Sequence, residues 1–438
     1  MPTQSVSFPR SACPRVSVGR ESRFICQFSI VNFQLILFVL SALFLSSCTP
    51  VEKQPSPTTT PTTPTTTPTT PEPVKTPPPP VLSSNPPSMN FIHAAYVHDH
   101  KLQSRTQLDQ IRYDQFNVIY LIAYPAWRTE SFKFSTPAQI AARFGADHTY
   151  PAGESGEALV PDFIDRAHRS GVKVLLCIQD GDFLNLCKDA PKRDLFIRCV
   201  TDFIKKYNYD GLEIDWENDL DLYLHADLMA RFRRCLDDIK GPSGRLYLTT
   251  AILPGKKYTP DLASRLVKSV DWVNVMTYDF GGGLYGTVPT HNTDLTRFKK
   301  YAANWAVFSS KKLCLGLANY GYQYRGIKPG QTSPVKLNTI GQSLDYNELL
   351  PLLNNGWRET FDTKAMAPYY FSPNGKDFAT IDNAQSLRAK MDWLLPQKYR
   401  GVFWWEFSND FQYAPPGKKA ATHPLIDPVE AKIRATFR

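Results

Sequence analysis

The chain has 438 residues, 42% apolar and 13% aromatic, which excludes a wholly disordered protein and allows a sizeable core. Its net charge of +9 is spread thinly, and no dense Lys/Arg block or nucleic-acid motif accompanies it. Residues 1–47 carry +3 and residues 48–90 carry none, so the remainder holds +6 as a mildly basic, solvated surface.

In chain order, a basic stretch ending at Arg23 precedes the uncharged apolar run LILFVLSALFL at 35–45, which fits the core of an export signal. An uncleaved membrane span over 24–47 is the alternative. Leu45-Ser46-Ser47-Cys48 resembles the bacterial lipobox. That resemblance implies a signal peptide over 1–47, lipidation at Cys48, and an exported domain lipid-anchored to a membrane of the bacterial cell envelope. From Pro50 to Pro87 there are 14 prolines and 11 threonines. Such a tract favours extended polyproline II, and its 38 residues reach on the order of 100 Å. Residues 48–90 are therefore expected to be a tether and 91–438 the folded domain. Five cysteines lie in that domain, an odd and irregularly spaced set that is no disulfide framework; pairing of Cys187 with Cys199 stays open.

From Phe91 onward, short apolar runs alternate with helix-like stretches. The expected strands are 91–97, 117–124, 172–178, 211–217, 245–252, 272–278, 313–320 and 401–408. Helices are expected over 161–170, 193–207, 226–240, 293–308 and 386–395. Eight strands separated by crossovers favour an α/β fold, the (β/α)8 TIM barrel. The stretch from about 321 to 385 is too long for a bare loop and is expected to be a small α+β insertion after strand 7.

The fourth strand reads Asp210-Gly211-Leu212-Glu213-Ile214-Asp215-Trp216-Glu217. Glu213, Asp215 and Glu217 alternate, so they share one face and climb it by about 6.6 Å per two-residue step. In a barrel they would line the interior toward the C-terminal mouth, where such folds keep their active sites. Crowded carboxylates share protons and one pKa rises, which suits a general acid. An edge strand with its acids in water is the plainer alternative.

Asp210-Gly211-x-x-x-Asp215-Trp216-Glu217 resembles the signature of glycoside hydrolase family 18, the chitinase-like hydrolases. In order along the chain, Met276-Thr277-Tyr278-Asp279 resembles its sixth-strand motif and Gly316 through Gly321 its seventh-strand motif. Ala367-Pro368-Tyr369 resembles part of its insertion, and Gly401-Val402-Phe403-Trp404-Trp405 its last strand. The resemblance implies substrate-assisted hydrolysis with retention, the substrate being a polysaccharide or oligosaccharide containing N-acetylglucosamine. Glu217 would be acid and then base. Asp215 would hold the acetamido N–H, Tyr278 would orient the acetamido oxygen, and Glu213 would share a proton with Asp215. Asp279, Trp405, Met276, Tyr96 and Asp210 would bind sugar. Trp127, just past the second strand, could stack on a more distant ring or pack at the rim. No cofactor or metal is required, and a monomer is expected. The family usually has Asp where this chain has Glu213, often Tyr where it has Asn218, and Ser-x-Gly-Gly where it has Cys177-Ile178-Gln179-Asp180.

His98-Asp99-His100 has no third metal ligand placed by spacing and is expected to make loop contacts. Gly281-Gly282-Gly283 is expected to form a tight loop, and Trp357 to fill the core of the insertion. Two other functions remain to be separated: a sugar-binding protein without catalysis, and an N-acetylglucosaminidase acting on peptidoglycan or the N-glycan core.

Overall fold

A computed structural model describes residues 89–124, 136–179, 181–242, 244–281 and 283–437. Cys48, the signal-like and Pro/Thr segments, Trp127, Asp180 and Gly282 lie outside the described residues. Eight parallel strands close into a barrel: β1 (Ile92–His98), β2 (Val118–Ile122), β3 (Lys173–Gln179), β4 (Gly211–Asp215), β5 (Tyr247–Ile252), β6 (Trp272–Val275), β7 (Leu313–Ala318) and β8 (Gly401–Trp405). β1 pairs with β2 on one side and β8 on the other, Ala95 facing Trp404, which completes the ring. Helices cover the outside, so both faces of the strands are buried and the runs read as almost continuously apolar.

Several strands end earlier than expected. β4 stops at Asp215 and β6 at Val275, leaving Glu217 and Tyr278 on the loops beyond. Helices follow the expected stretches closely, for example Ala190–Lys206 and Ala384–Leu394. Further helices form at Pro137–Phe144, Pro260–Ser269 and Ile426–Phe437. The second of these carries its own start signal, Thr259 capping the Leu262 N–H ahead of a proline in the first turn. Asp221 does the same after β4, accepting the N–H groups of Tyr223 and Leu224 and ending the loop that carries Glu217. Cys187, Cys199 and the other three described cysteines are free thiols.

Between β7 and the helix Ala384–Leu394 lies the insertion, a five-stranded antiparallel sheet. Its order is Gly341–Asp345, Tyr320–Tyr324, Phe378–Thr380, Ala367–Phe371 and Arg358–Asp362. Helix Tyr346–Asn354 packs on it through a small separate core of Leu344, Leu349, Tyr370, Ala379 and Ile381, with Trp357 against it. A fully buried ion pair fastens its far end: Lys390 donates to the Asp382 carboxylate and, at 3.0 Å, to the Thr293 carbonyl.

Removing one partner of that pair strands the other. Lys390→Met should cost about 3–5 kcal/mol of stability, and Lys390→Met with Asp382→Leu should recover most of it. Urea denaturation of both variants measures this; equal stability of wild type and Lys390→Met would contradict it.

Candidate active site

Side chains alternate along β4, so Glu213 and Asp215 both enter the barrel. Glu213 is fully buried. It accepts from Tyr96 Oη at 2.7 Å, Asn274 Nδ2 at 2.9 Å and the Thr249 hydroxyl. The network continues among buried groups, with Tyr120 Oη 3.3 Å from Asn274 Oδ1 and Trp272 Nε1 donating to Tyr120 Oη at 2.7 Å. Burial pushes the Glu213 carboxyl up to about 7, against the pull of its three donors. Tyr96 thus serves Glu213, and its ring lies 5.2 Å from that of Trp405.

Just past β6, the Tyr278 ring packs between Tyr320 and Phe403 at 6.0 and 6.2 Å. Gly316 makes room for it: a Cβ there would lie 2.6 Å from Tyr278 Cε1 and 2.9 Å from Phe403 Cζ. Burial first, then the nearby charges of Asp215, Asp279, Glu217 and Glu213, push the phenol well above its ordinary pKa, so it keeps its proton. Among the described residues nothing pairs with this buried hydroxyl. An orphaned donor amid carboxylates is costly unless a bound molecule accepts from it.

Asp279 has a left-handed backbone with φ of 57°. Its Oδ1 accepts from Tyr320 Oη at 2.6 Å and Tyr322 Oη at 2.5 Å. Burial raises its pKa against those two bonds. Both tyrosines belong to the first strand of the insertion, and their alternation in Tyr320-Gly321-Tyr322 was the sequence signal for a shared face. Gly281 and Gly283 turn the following loop with φ of 85° and 51°.

Partly buried Trp405 ends β8, its ring edge-on to His98 at 5.2 Å. The next residue, Glu406, is buried and takes His98 Nδ1 at 3.0 Å, with Lys101 Nζ at 3.8 Å. Burial alone would raise its pKa, but His98, Lys101 and Ser408 hold it down to about 2. A lone acid inside the aromatic run Phe403-Trp404-Trp405-Glu406-Phe407 was the available signal for this wall. Among the described residues no three His, Cys, Asp or Glu side chains are grouped to hold a metal ion.

One expectation needs correction. Asp210 does not bind at the mouth. It precedes β4 at the opposite end of the barrel, where its carboxylate accepts the Val174 N–H at 2.9 Å and pairs with His168 Nε2 at 2.7 Å. Met276, just past β6, is buried as deeply as Tyr278, its N–H donating to the Ile252 carbonyl at 3.1 Å.

The model of glycosyl hydrolases family 18 matches residues 106–410. The chain belongs to this family. Similar proteins include Chitinase A1 of Niallia circulans, 27% identical over 52% of this chain and 38% of its own length. An endochitinase of Brugia malayi is 26% identical over 61% of this chain and 59% of its own. The chain thus spans about two fifths to three fifths of these relatives. A family 18 chitinase of Cycas revoluta, solved with allosamidin, shares the fold at a TM-score of 0.60 and 20% identity, covering 79% of this chain and 99% of that one. The same Cycas enzyme has been solved with (GlcNAc)3.

The raised Glu213 pKa makes stability depend on pH. The folded chain holds this proton more tightly than the unfolded chain, so the stabilisation is complete below pH 4.5 and is lost as pH rises through about 7. Glu213→Gln removes that dependence. Its urea midpoint should gain on wild type as pH is raised from 4.5 past 7; a flat difference across the window contradicts the raised pKa.

Proposed function

We propose that the chain is a retaining, substrate-assisted glycosidase that cleaves β-1,4 linkages of N-acetylglucosamine-containing glycans, with chitin or chitooligosaccharides as substrate. The observation that carries this is the buried, protonated and unpartnered Tyr278 hydroxyl beside Asp215 and Glu217. It suits a donor to the 2-acetamido oxygen, turning that oxygen toward its own anomeric carbon. Asp215 then accepts the acetamido N–H and stabilises the charge that develops on the oxazolinium ring. Glu217, half-buried on the loop above the barrel, protonates the leaving oxygen and later takes a proton from water. Asp279, gripped by two tyrosines, holds the distorted sugar, and Trp405 lies under its apolar face. Glu213 sits below the reacting atoms and fixes the floor.

The exported, lipid-anchored state follows from the lipobox-like Leu45–Cys48 and is proposed with it. Cells labelled with radioactive palmitate should label wild type and not Cys48→Ser.

Glu217→Gln should lower kcat on chitooligosaccharides by about 10²–10⁴-fold while binding persists. Tyr278→Phe should lower it by about 10²-fold. NMR of the first product should show the β-anomer. Glu217→Gln turning over at the wild-type rate would overturn the assignment, and tight binding without any turnover would favour a sugar-binding protein. Digesting chitin and purified sacculi side by side, with product masses, separates the substrates.

A further inference from the structure

Asp279 stands in a left-handed backbone conformation, uncommon for a residue with a Cβ although less costly for aspartate than for most. The side chain bonded to that backbone belongs to Asn292, thirteen residues on. Asn292 Oδ1 accepts the Asp279 N–H at 3.0 Å, and its Nδ2 donates to the Tyr320 carbonyl at 2.9 Å. Its backbone N–H donates to Thr380 Oγ1 at 3.1 Å, and its carbonyl accepts the Phe280 N–H at 2.8 Å. The residue is 1% exposed and all of these groups are engaged.

Those partners come from three places: the loop after β6, the first strand of the insertion and its central strand. The neighbouring Thr293 hydroxyl donates to the Thr277 carbonyl at 3.1 Å. Tyr278 is therefore bracketed, with one flanking residue tied to Thr293 and the other to Asn292. Thr293 is in turn held through its carbonyl by Lys390.

We propose that Asn292 is a positioning residue for the reaction: it sets the left-handed turn at Asp279, and through it where the Tyr278 hydroxyl and the Asp279 carboxylate meet the sugar. This rests on the glycosidase reading above. Only a primary amide of this length suits the position, because one end must accept from a backbone N–H while the other donates to a carbonyl. Aspartate keeps the acceptor and loses the donor; alanine loses both. Asn292 touches no reacting atom, so its contribution is geometric, where a misplacement of about 1 Å can cost about 10²-fold in rate.

The test compares wild type, Asn292→Ala, Asn292→Asp and a control, Trp357→Ala, which loosens the core of the insertion away from the site. Steady-state kinetics on chitotetraose, thermal denaturation and crystal structures are measured for each. Asn292→Ala should lose about 10- to 100-fold in kcat with KM changed much less, and Asn292→Asp should lose less than Asn292→Ala. Trp357→Ala should lower the melting temperature with kcat unchanged. In the Asn292→Ala crystal, Asp279 should leave φ near 57° and part from the Tyr320 and Tyr322 hydroxyls. Retention of that conformation, or a kcat loss matched by Trp357→Ala at equal loss of stability, would overturn the proposal. Should Asn292→Ala not fold, Asn292→Asp decides: wild-type kcat in it overturns the proposal. If wild type itself does not turn over chitotetraose, the glycosidase reading fails, and the Asp279 conformation in the variant crystals still decides the role of Asn292.

Discussion

A carboxylate sealed inside a barrel must be given donors, and Glu213 draws its own from three other strands. Tyr96 on β1, Thr249 on β5 and Asn274 on β6 converge on it. Leaving such a group unpaired is among the costlier things a fold can do. A slip of one residue in any of these strands would turn its donor toward the helices. The polar cluster at the centre of the barrel therefore fixes register as well as charge. Asp215 stands one step above Glu213 on the same strand, and its height inherits that register.

Above this floor the site has two suppliers. The barrel brings Asp215 and Trp405 to the candidate site from strand ends, and Glu217 and Tyr278 from the loops just beyond. The insertion contributes the tyrosine pair that grips Asp279. Small residues make the meeting possible: Gly316 lets the Tyr278 ring lie against Phe403, and Gly283 lets Tyr322 approach the loop. Polar bonds do the joining, since Asn292, Thr293 and Lys390 form one continuous path from the site to the outer helix.

Much of this was legible in the sequence, for physical reasons that also mark where legibility ended. Buried parallel strands are written as unbroken apolar runs, so all eight could be counted. The alternating acids of β4 announced one shared face, and the buried-type strands on either side favoured the barrel interior over a solvated edge. Strand ends were overrun, as at Glu217 and Tyr278, since the buried Trp216 and Met276 carry the apolar run past the last paired residue. Asp210 was misplaced because it is contiguous with the acid ladder, although a strand of five residues sets its two ends on opposite faces of the barrel. Asn292 and Lys390 left no trace, because nothing in a linear pattern tells a buried amide or ammonium from a solvated one. Trp127 falls outside the described residues.

The tyrosine grip on Asp279 bears on how this chain can be recombined with its relatives. An insertion between two barrel elements looks like a cassette, to be exchanged between relatives by cutting at its borders. Here the cut would fall inside the site. Tyr320 and Tyr322 lie on the insertion's first strand, Thr380 on its central one, and all three connect to the Asp279 loop directly or through Asn292. A graft that preserves function has to carry residues 277–293 together with the insertion, so the exchangeable unit is larger than the visible subdomain and interrupted in sequence.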